Sequence, residues 1–321
     1  MTERRPRPPW RLLVLGLATL GLAAWGIEAL RRPPRQSQVS ADVVGFLQGP
    51  PAAGFARVTA PLALRFPRDA GPHPDFQTEW WYFTGNLAAT EAAGDSMGDR
   101  FGFQLTFFRR ALAAPGAMAS PGPTDSAWRA DQVYLAHFAL TDVAGEGFHA
   151  AERLQRAALG LAGGQAEPYR VWVDDWSAAA EGGTAERPRL RLRARDGGQG
   201  LDLTLEPLKD RVGHGQDGYS PKGPQPGNAS MYLSFTRLAA TGALTVAGRA
   251  QPVAGLAWMD HEWSTSALGE DQVGWDWFSL QLDDGRELML FHLRQRDGGV
   301  APVSSGTLVA ADGSSRHLPR E

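Results

Sequence analysis

The chain has 321 residues, 11 Trp, no Cys and a formal net charge of −3. Without Cys there is no disulfide framework, thiol nucleophile, iron–sulfur cluster, Cys-based zinc site or lipoprotein anchor. The length suggests two domains at roughly 100–200 residues each, and 43% hydrophobic content excludes a disordered or collagen-like chain.

Charge is unevenly spread along the chain. Residues 1–35 hold seven Arg and two acids; the rest carries 25 basic and 33 acidic residues, a net of −8. That acidic body does not suit nucleic acid, whose phosphates need a basic surface. Arg4, Arg5, Arg7 and Arg11 precede an apolar run over residues 12–27, which Glu28, Arg31, Arg32 and Arg35 close. Residues 1–30 read as a signal peptide or membrane anchor, with the body placed beyond the cytoplasm, in the periplasm. Residues 31–60 are rich in Pro, Gln and Ala and read as a linker.

From residue 61 onward the pattern has period 2. Arg189, Arg191, Arg193 and Arg195 alternate with Leu190, Leu192 and Ala194, and Leu201, Leu203 and Leu205 alternate with polar residues. Residues 101–108, 132–140, 230–238, 242–248, 252–258, 273–282 and 286–294 also read as strands. Asp283-Asp284-Gly285 marks a hairpin turn. A helix is expected only near residues 150–162. The class is all-β, with antiparallel barrels or sandwiches. A boundary near 240 divides a first domain, residues 61–240, from a shorter second one, residues 241–321, read as incomplete.

Two familiar motifs fail on inspection. Residues 213–218 match G-x-G-x-x-G, but Pro221, Pro224 and Pro226 forbid the helix a phosphate would need. Gly218-Tyr219-Ser220-Pro221-Lys222-Gly223 is one residue too long for a nucleophile elbow. Asp260, His261 and Glu262 are adjacent, so on a strand they alternate between faces and do not easily hold one metal together, which leaves open a site assembled from distant segments. No metal is expected.

Two aromatic segments stand out. In the first, Glu79, Trp81 and Phe83 share one strand face while Trp80, Tyr82 and Thr84 share the other. Both faces are apolar enough to be buried or to line a cavity. In the second, residues 258–264 and 274–278, ionisable groups lie among Trp258, Trp263, Trp275 and Trp277. A carboxyl group buried among rings is pushed toward its protonated form and can serve as a general acid.

These residues resemble a known family, the AttH / carotenoid 1,2-hydratase (hydroxyneurosporene synthase) family of lipocalin-like proteins. The resemblance rests on "DFQTEWWYFTGNL" (75–87), "AHFALTD" (136–142), "VDDWS" (173–177), "GYSPKG" (218–223), "WMDHEWSTS" (258–266) and "GWDWFSLQLDDGRELM" (274–289). It implies two consecutive lipocalin-like antiparallel β-barrel domains, often exported. It also implies either of two activities. One is a hydro-lyase that adds water to a terminal C=C of an isoprenoid by acid catalysis, without a cofactor. Asp276 would then be the acid, His261 would position or deprotonate water, and Trp263, Trp275 and Trp277 would stabilise the cation. Trp258, Glu79, Trp80, Trp81 and Tyr82 would complete the binding site. The other is a non-catalytic carrier of a carotenoid, isoprenoid or lipid, working beside an ABC-type exporter.

Overall fold

The computed structural model describes residues 45–46, 53–90, 99–117, 126–266, 268–269 and 271–320. The apolar run over residues 12–27 lies outside them, so its reading as an address or anchor stays an expectation. No helix among the described residues is long and apolar enough to cross a membrane.

The described elements are almost entirely strands. In chain order they are β1 (Thr78–Ala89), β2 (Arg100–Ala111), β3 (Gln132–Asp142), β4 (Gly147–Arg156), β5 (Ala162–Ala166) and β6 (Tyr169–Val173). Then come β7 (Trp176–Gly183), β8 (Pro188–Asp196), β9 (Gln199–Pro207), β10 (Val212–Gly213), β11 (Tyr219–Pro221) and β12 (Ala229–Val246). The last are β13 (Arg249–Ser264), β14 (Gln272–Gln281), β15 (Glu287–Gln295), β16 (Ser305–Val309) and β17 (Ser315–Pro319).

A single antiparallel sheet runs β4-β3-β2-β1-β13-β12-β9-β8-β7-β6-β5, with β10 and β11 also paired to β12. Its edge strands β4 and β5 are consecutive in the chain, so the sheet curls into a nearly closed barrel. Every second residue of its strands turns inward. Trp81, Phe83, Phe103, Phe107, Phe138, Trp176, Leu192, Leu203 and Phe235 form the buried core of this barrel. The alternation read from Arg189–Arg195 corresponds to β8, whose Leu190, Leu192 and Ala194 join that core while the arginines face outward.

Two expectations change here. The 150–162 helix is a strand followed by a turn: β4 pairs along its full length with β3, as in Phe138 against Ala151. Cross-strand burial outweighs the local helix preference of its Ala, Glu, Leu and Gln residues. Two consecutive barrels are not formed either. Residue 240 lies inside β12, whose hairpin with β13 runs unbroken apart from a bulge between Phe235 and Leu238. The C-terminal strands instead make a separate four-stranded sheet, β14-β15-β16-β17.

That small sheet lies on the outer face of the β12–β13 hairpin. Tyr232 and Trp258 pack there with Met289, Phe291, Leu293 and Ala301. A buried ionic pin holds it. Lys209 Nζ donates to Glu287 Oε2 at 2.8 Å, to Gly285 O at 2.6 Å and to Ala310 O at 2.7 Å. Arg237 Nε donates to the other oxygen of Glu287 at 2.5 Å. Removing one partner strands a buried charge, so Lys209→Met should cost roughly 3 kcal/mol of unfolding free energy, read from the denaturant midpoint. A loss within about 0.5 kcal/mol, ordinary for a surface change, would show that the pin is dispensable.

Candidate functional site

Strands β1 and β13 carry the two aromatic motifs, and they are direct neighbours. Trp81 lies opposite His261, Tyr82 opposite Asp260 and Trp80 opposite Glu262. The period-2 alternation therefore sorts the motif residues onto two faces of one strand pair.

The inward face holds Glu79, Trp81, His261 and Trp263, all buried. Glu79 accepts from Arg109 Nε at 2.9 Å and from the backbone N–H of His73 at 2.8 Å. His73 Nδ1 lies 2.8 Å and His261 Nε2 2.7 Å from its Oε1. Burial alone would raise the Glu79 pKa, but His73, Arg109 and the hydrogen bond from His261 outweigh it and hold the carboxyl well below its ordinary range. Burial lowers His261 to about 4, leaving it neutral at pH 7. His73 stacks on Trp263 at 3.8 Å, and Trp81 stacks on His261 at 4.9 Å. Ligand-type atoms of His73, Glu79 and His261 come within 4.8 Å of one another. Arg109 already neutralises the carboxylate, and a dication would sit beside that guanidinium. The cluster is a hydrogen-bonded lock at one end of the barrel interior.

The outward face meets the small sheet across a cavity of about 260 Å³. Trp80, Tyr82, Phe108, Trp275, Trp277 and Phe291 wall it, and Asp260, Glu262, Lys222 and Tyr232 supply its polar groups. Its size lies just under the roughly 300–1,000 Å³ of most small-molecule sites. Trp277 meets Tyr82 edge-on at 5.3 Å and Trp258 at 6.2 Å, and its Nε1 donates to Tyr232 Oη at 2.9 Å. Lys222 Nζ pairs with Glu262 Oε1 at 2.9 Å and lies 4.4 Å from the centre of the Phe291 ring.

Asp260 is the distinctive group. Its Oδ1 accepts from Trp258 Nε1 at 2.7 Å and from Ser234 Oγ. Burial raises its pKa to about 7, against the lowering effect of those donors and with Glu262 adding to the rise. A carboxyl half-protonated near neutrality beside a cavity of aromatic rings has the property a general acid needs.

The structure brings only some of the expected residues to this cavity. Asp276 alternates with Trp275 and Trp277, so it turns to the opposite face of β14. There its side chain is 46% exposed, with Arg294 Nε at 3.7 Å. His261, Trp263, Glu79 and Trp81 face the barrel interior. Trp80, Tyr82, Trp275 and Trp277 do line the cavity, and Trp258 holds the acid from the side. Missing from the sequence reading were Asp260 as a cavity carboxyl and the contributions of Lys222, Tyr232 and Glu262 to the cavity lining. The signal for Asp260 and Glu262 was present, because both share a strand face with Trp258.

A family model described as AttH-like matches residues 57–321. Among solved structures, one assigned to AttH from Nitrosomonas europaea is 34% identical, with a TM-score of 0.69 over 83% of this chain and 75% of that one. Kievitone hydratase from Nectria haematococca shares the fold at 13% identity, with a TM-score of 0.58 over 85% of this chain and 73% of that one. No curated protein sequence matches the chain.

Proposed function

The chain belongs to the AttH-like family, and from that premise we propose that it is a cofactor-independent hydratase acting on a trisubstituted alkene. The observation that carries this reading is Asp260, a buried carboxyl with its pKa raised to about 7 beside a cavity of aromatic rings. The fold shared with a kievitone hydratase agrees with it.

In this mechanism Asp260 gives its proton to the less substituted alkene carbon, whose π pair becomes the new C–H bond. The positive charge left on the tertiary carbon faces Trp80, Trp275 and Trp277, whose ring quadrupoles stabilise it. Water adds to that carbon and returns its surplus proton to the Asp260 carboxylate, restoring the acid. No electrons leave the system, so no redox cofactor is needed. The cavity of about 260 Å³ suits a compact isoprenoid alkene, or the terminal unit of a longer chain, rather than a whole carotenoid. Export through the N-terminal segment and residence in the periplasm belong to the same proposal.

The test is incubation with a panel of isoprenoid alkenes in H₂¹⁸O, with mass spectrometry of the products. Label in a tertiary alcohol supports the reading, and its absence across the panel defeats it. Asp276→Asn should keep turnover within about two-fold, as expected for an exposed surface pair. A large loss there would return the acid role to Asp276.

A non-catalytic carrier beside an ABC-type exporter is the second reading. It is favoured by an open groove of about 790 Å³ that shares Trp277 with the cavity. In that case apolar molecules co-purify with the protein, and the labelling assay stays silent.

A further inference from the structure

Behind Asp260, away from the cavity, a chain of hydrogen bonds runs into the protein. Ser234 Oγ contacts Asp260 Oδ1, His214 Nε2 lies 2.7 Å from Ser234 Oγ, and His214 Nδ1 lies 2.9 Å from Thr307 Oγ1. His214, Ser234 and Thr307 are each at most 1% exposed. His214 sits in the loop between β10 and β11, held by its backbone N–H donating to Tyr232 O at 2.9 Å. It reaches Thr307 on β16 of the small sheet, so the chain of bonds crosses from the barrel to that sheet.

The donors along this chain can be assigned by elimination. Burial pushes the His214 pKa down to about 3, with nearby Lys222 and His317 acting in the same direction, so the ring is neutral. A neutral imidazole has one N–H and one lone pair. Ser234 has one proton, and ionised Asp260 can only accept. With Asp260 ionised, Ser234 therefore donates to Asp260 and accepts from His214 Nε2–H, and His214 Nδ1 accepts from Thr307 Oγ1–H; carried into the protonated acid, the same order makes a lock. With Trp258 as its second donor, Oδ1 of Asp260 is fully engaged, and Tyr232 adds a further hydrogen bond to the carboxyl.

We propose that His214 is a positioning residue that locks Ser234 as a donor to Asp260 Oδ1, so that the transferable proton resides on Oδ2. The catalytic meaning of this lock rests on the hydratase reading, whereas its existence does not. A freely rotating Ser234 would let the proton sit on either oxygen, in only one of which it meets a bound alkene. The charged and titratable groups around the pair are Glu262, Tyr232 and Tyr82 near Asp260, and Lys222, Tyr232 and His317 near His214.

The experiment is NMR on the full chain without ligand. Carbon-13 shifts follow the Asp260 carboxyl, and nitrogen-15 shifts report which His214 nitrogen bears the proton. The wild-type ring should keep its proton on Nε2 from about pH 5 to pH 9, far above its depressed folded value. His214→Leu removes the constraint on Ser234. The Asp260 midpoint should then rise by about one pH unit, the equivalent of one lost hydrogen bond to the ionised form. His214→Gln can donate to Ser234 and accept from Thr307, so it should restore the wild-type midpoint. If the Leu variant does not fold, Thr307→Val gives the same reading by freeing Nδ1. An unchanged midpoint in a folded His214→Leu or Thr307→Val protein would overturn the lock, as would a proton on Nδ1 in the wild type. These readouts need no substrate. A moved midpoint with no hydration product therefore supports the lock while removing the hydratase reading.

Discussion

Asp260→Asn should lower alkene hydration by about 10³-fold, within the 10²–10⁴-fold range that proton transfer by a positioned side chain provides. Asn is nearly isosteric and can still accept from Ser234 and Trp258, so the barrel and its thermal transition should survive. Binding of an apolar fluorescent probe, followed through Trp emission, should also persist. This separates the two readings, because a carrier loses nothing when its acid becomes an amide. Hydration at the wild-type rate would remove Asp260 from the chemistry. The pH dependence has a definite sign. Only the protonated acid reacts, so turnover should be highest below the Asp260 value of about 7 and fall as pH rises through it. A rate that instead increases from pH 6 to pH 8 would point to a base.

The second large effect is on stability. Arg109 is fully buried beside Glu79 and also donates to His73 O at 2.7 Å and Phe76 O at 2.8 Å. Arg109→Ala leaves the Glu79 carboxylate buried without its guanidinium partner and should cost about 4 kcal/mol. Urea unfolding followed by Trp fluorescence measures it, and a cost under about 1 kcal/mol would show that the cluster tolerates the loss. The same carboxylate gives acid sensitivity. The folded value of Glu79 lies below its unfolded value near 4.5, so its stabilising contribution is complete above that pH. It is lost as pH falls from there toward the folded value. In Glu79→Gln the acid limb of the stability profile should flatten.

The strands were legible because burial on one face of a sheet imposes period 2, as Leu201, Leu203 and Leu205 display. What β1 and β13 would touch was not legible, because two apolar faces fit a buried strand as well as a cavity wall. Asp276 looked like the acid because its sequence neighbours are Trp275 and Trp277. Neighbours in a strand point to opposite sides, so that proximity argued the other way. Trp258, Asp260 and Glu262, two residues apart, are the group that the strand alternation brings to the cavity side. The four-stranded sheet could not be foreseen as such. The turn at Asp283-Asp284-Gly285 announced the hairpin of β14 and β15, but its strands match the period of a barrel wall, and only the long-range pairing shows that they leave the barrel for a sheet with β16 and β17. His214 lay beyond reach for the same reason, since its partners Ser234 and Thr307 are 20 and 93 residues away in the chain.

The cavity has a floor and a roof of independent construction. Floor residues Trp80, Tyr82 and Asp260 belong to central strands of the barrel sheet, whereas Trp275, Trp277, Phe291 and Leu293 belong to a sheet whose described strands pair with one another. A designer seeking a different substrate can therefore recontour the roof at Phe291 and Leu293 and leave Asp260 and its barrel supports, Ser234 and Trp258, unaltered. Phe291 and Leu293 thus form a part of the wall that can change without touching the acid, while the two sheets stay joined through the Lys209–Glu287 pin and the Thr307–His214 contact.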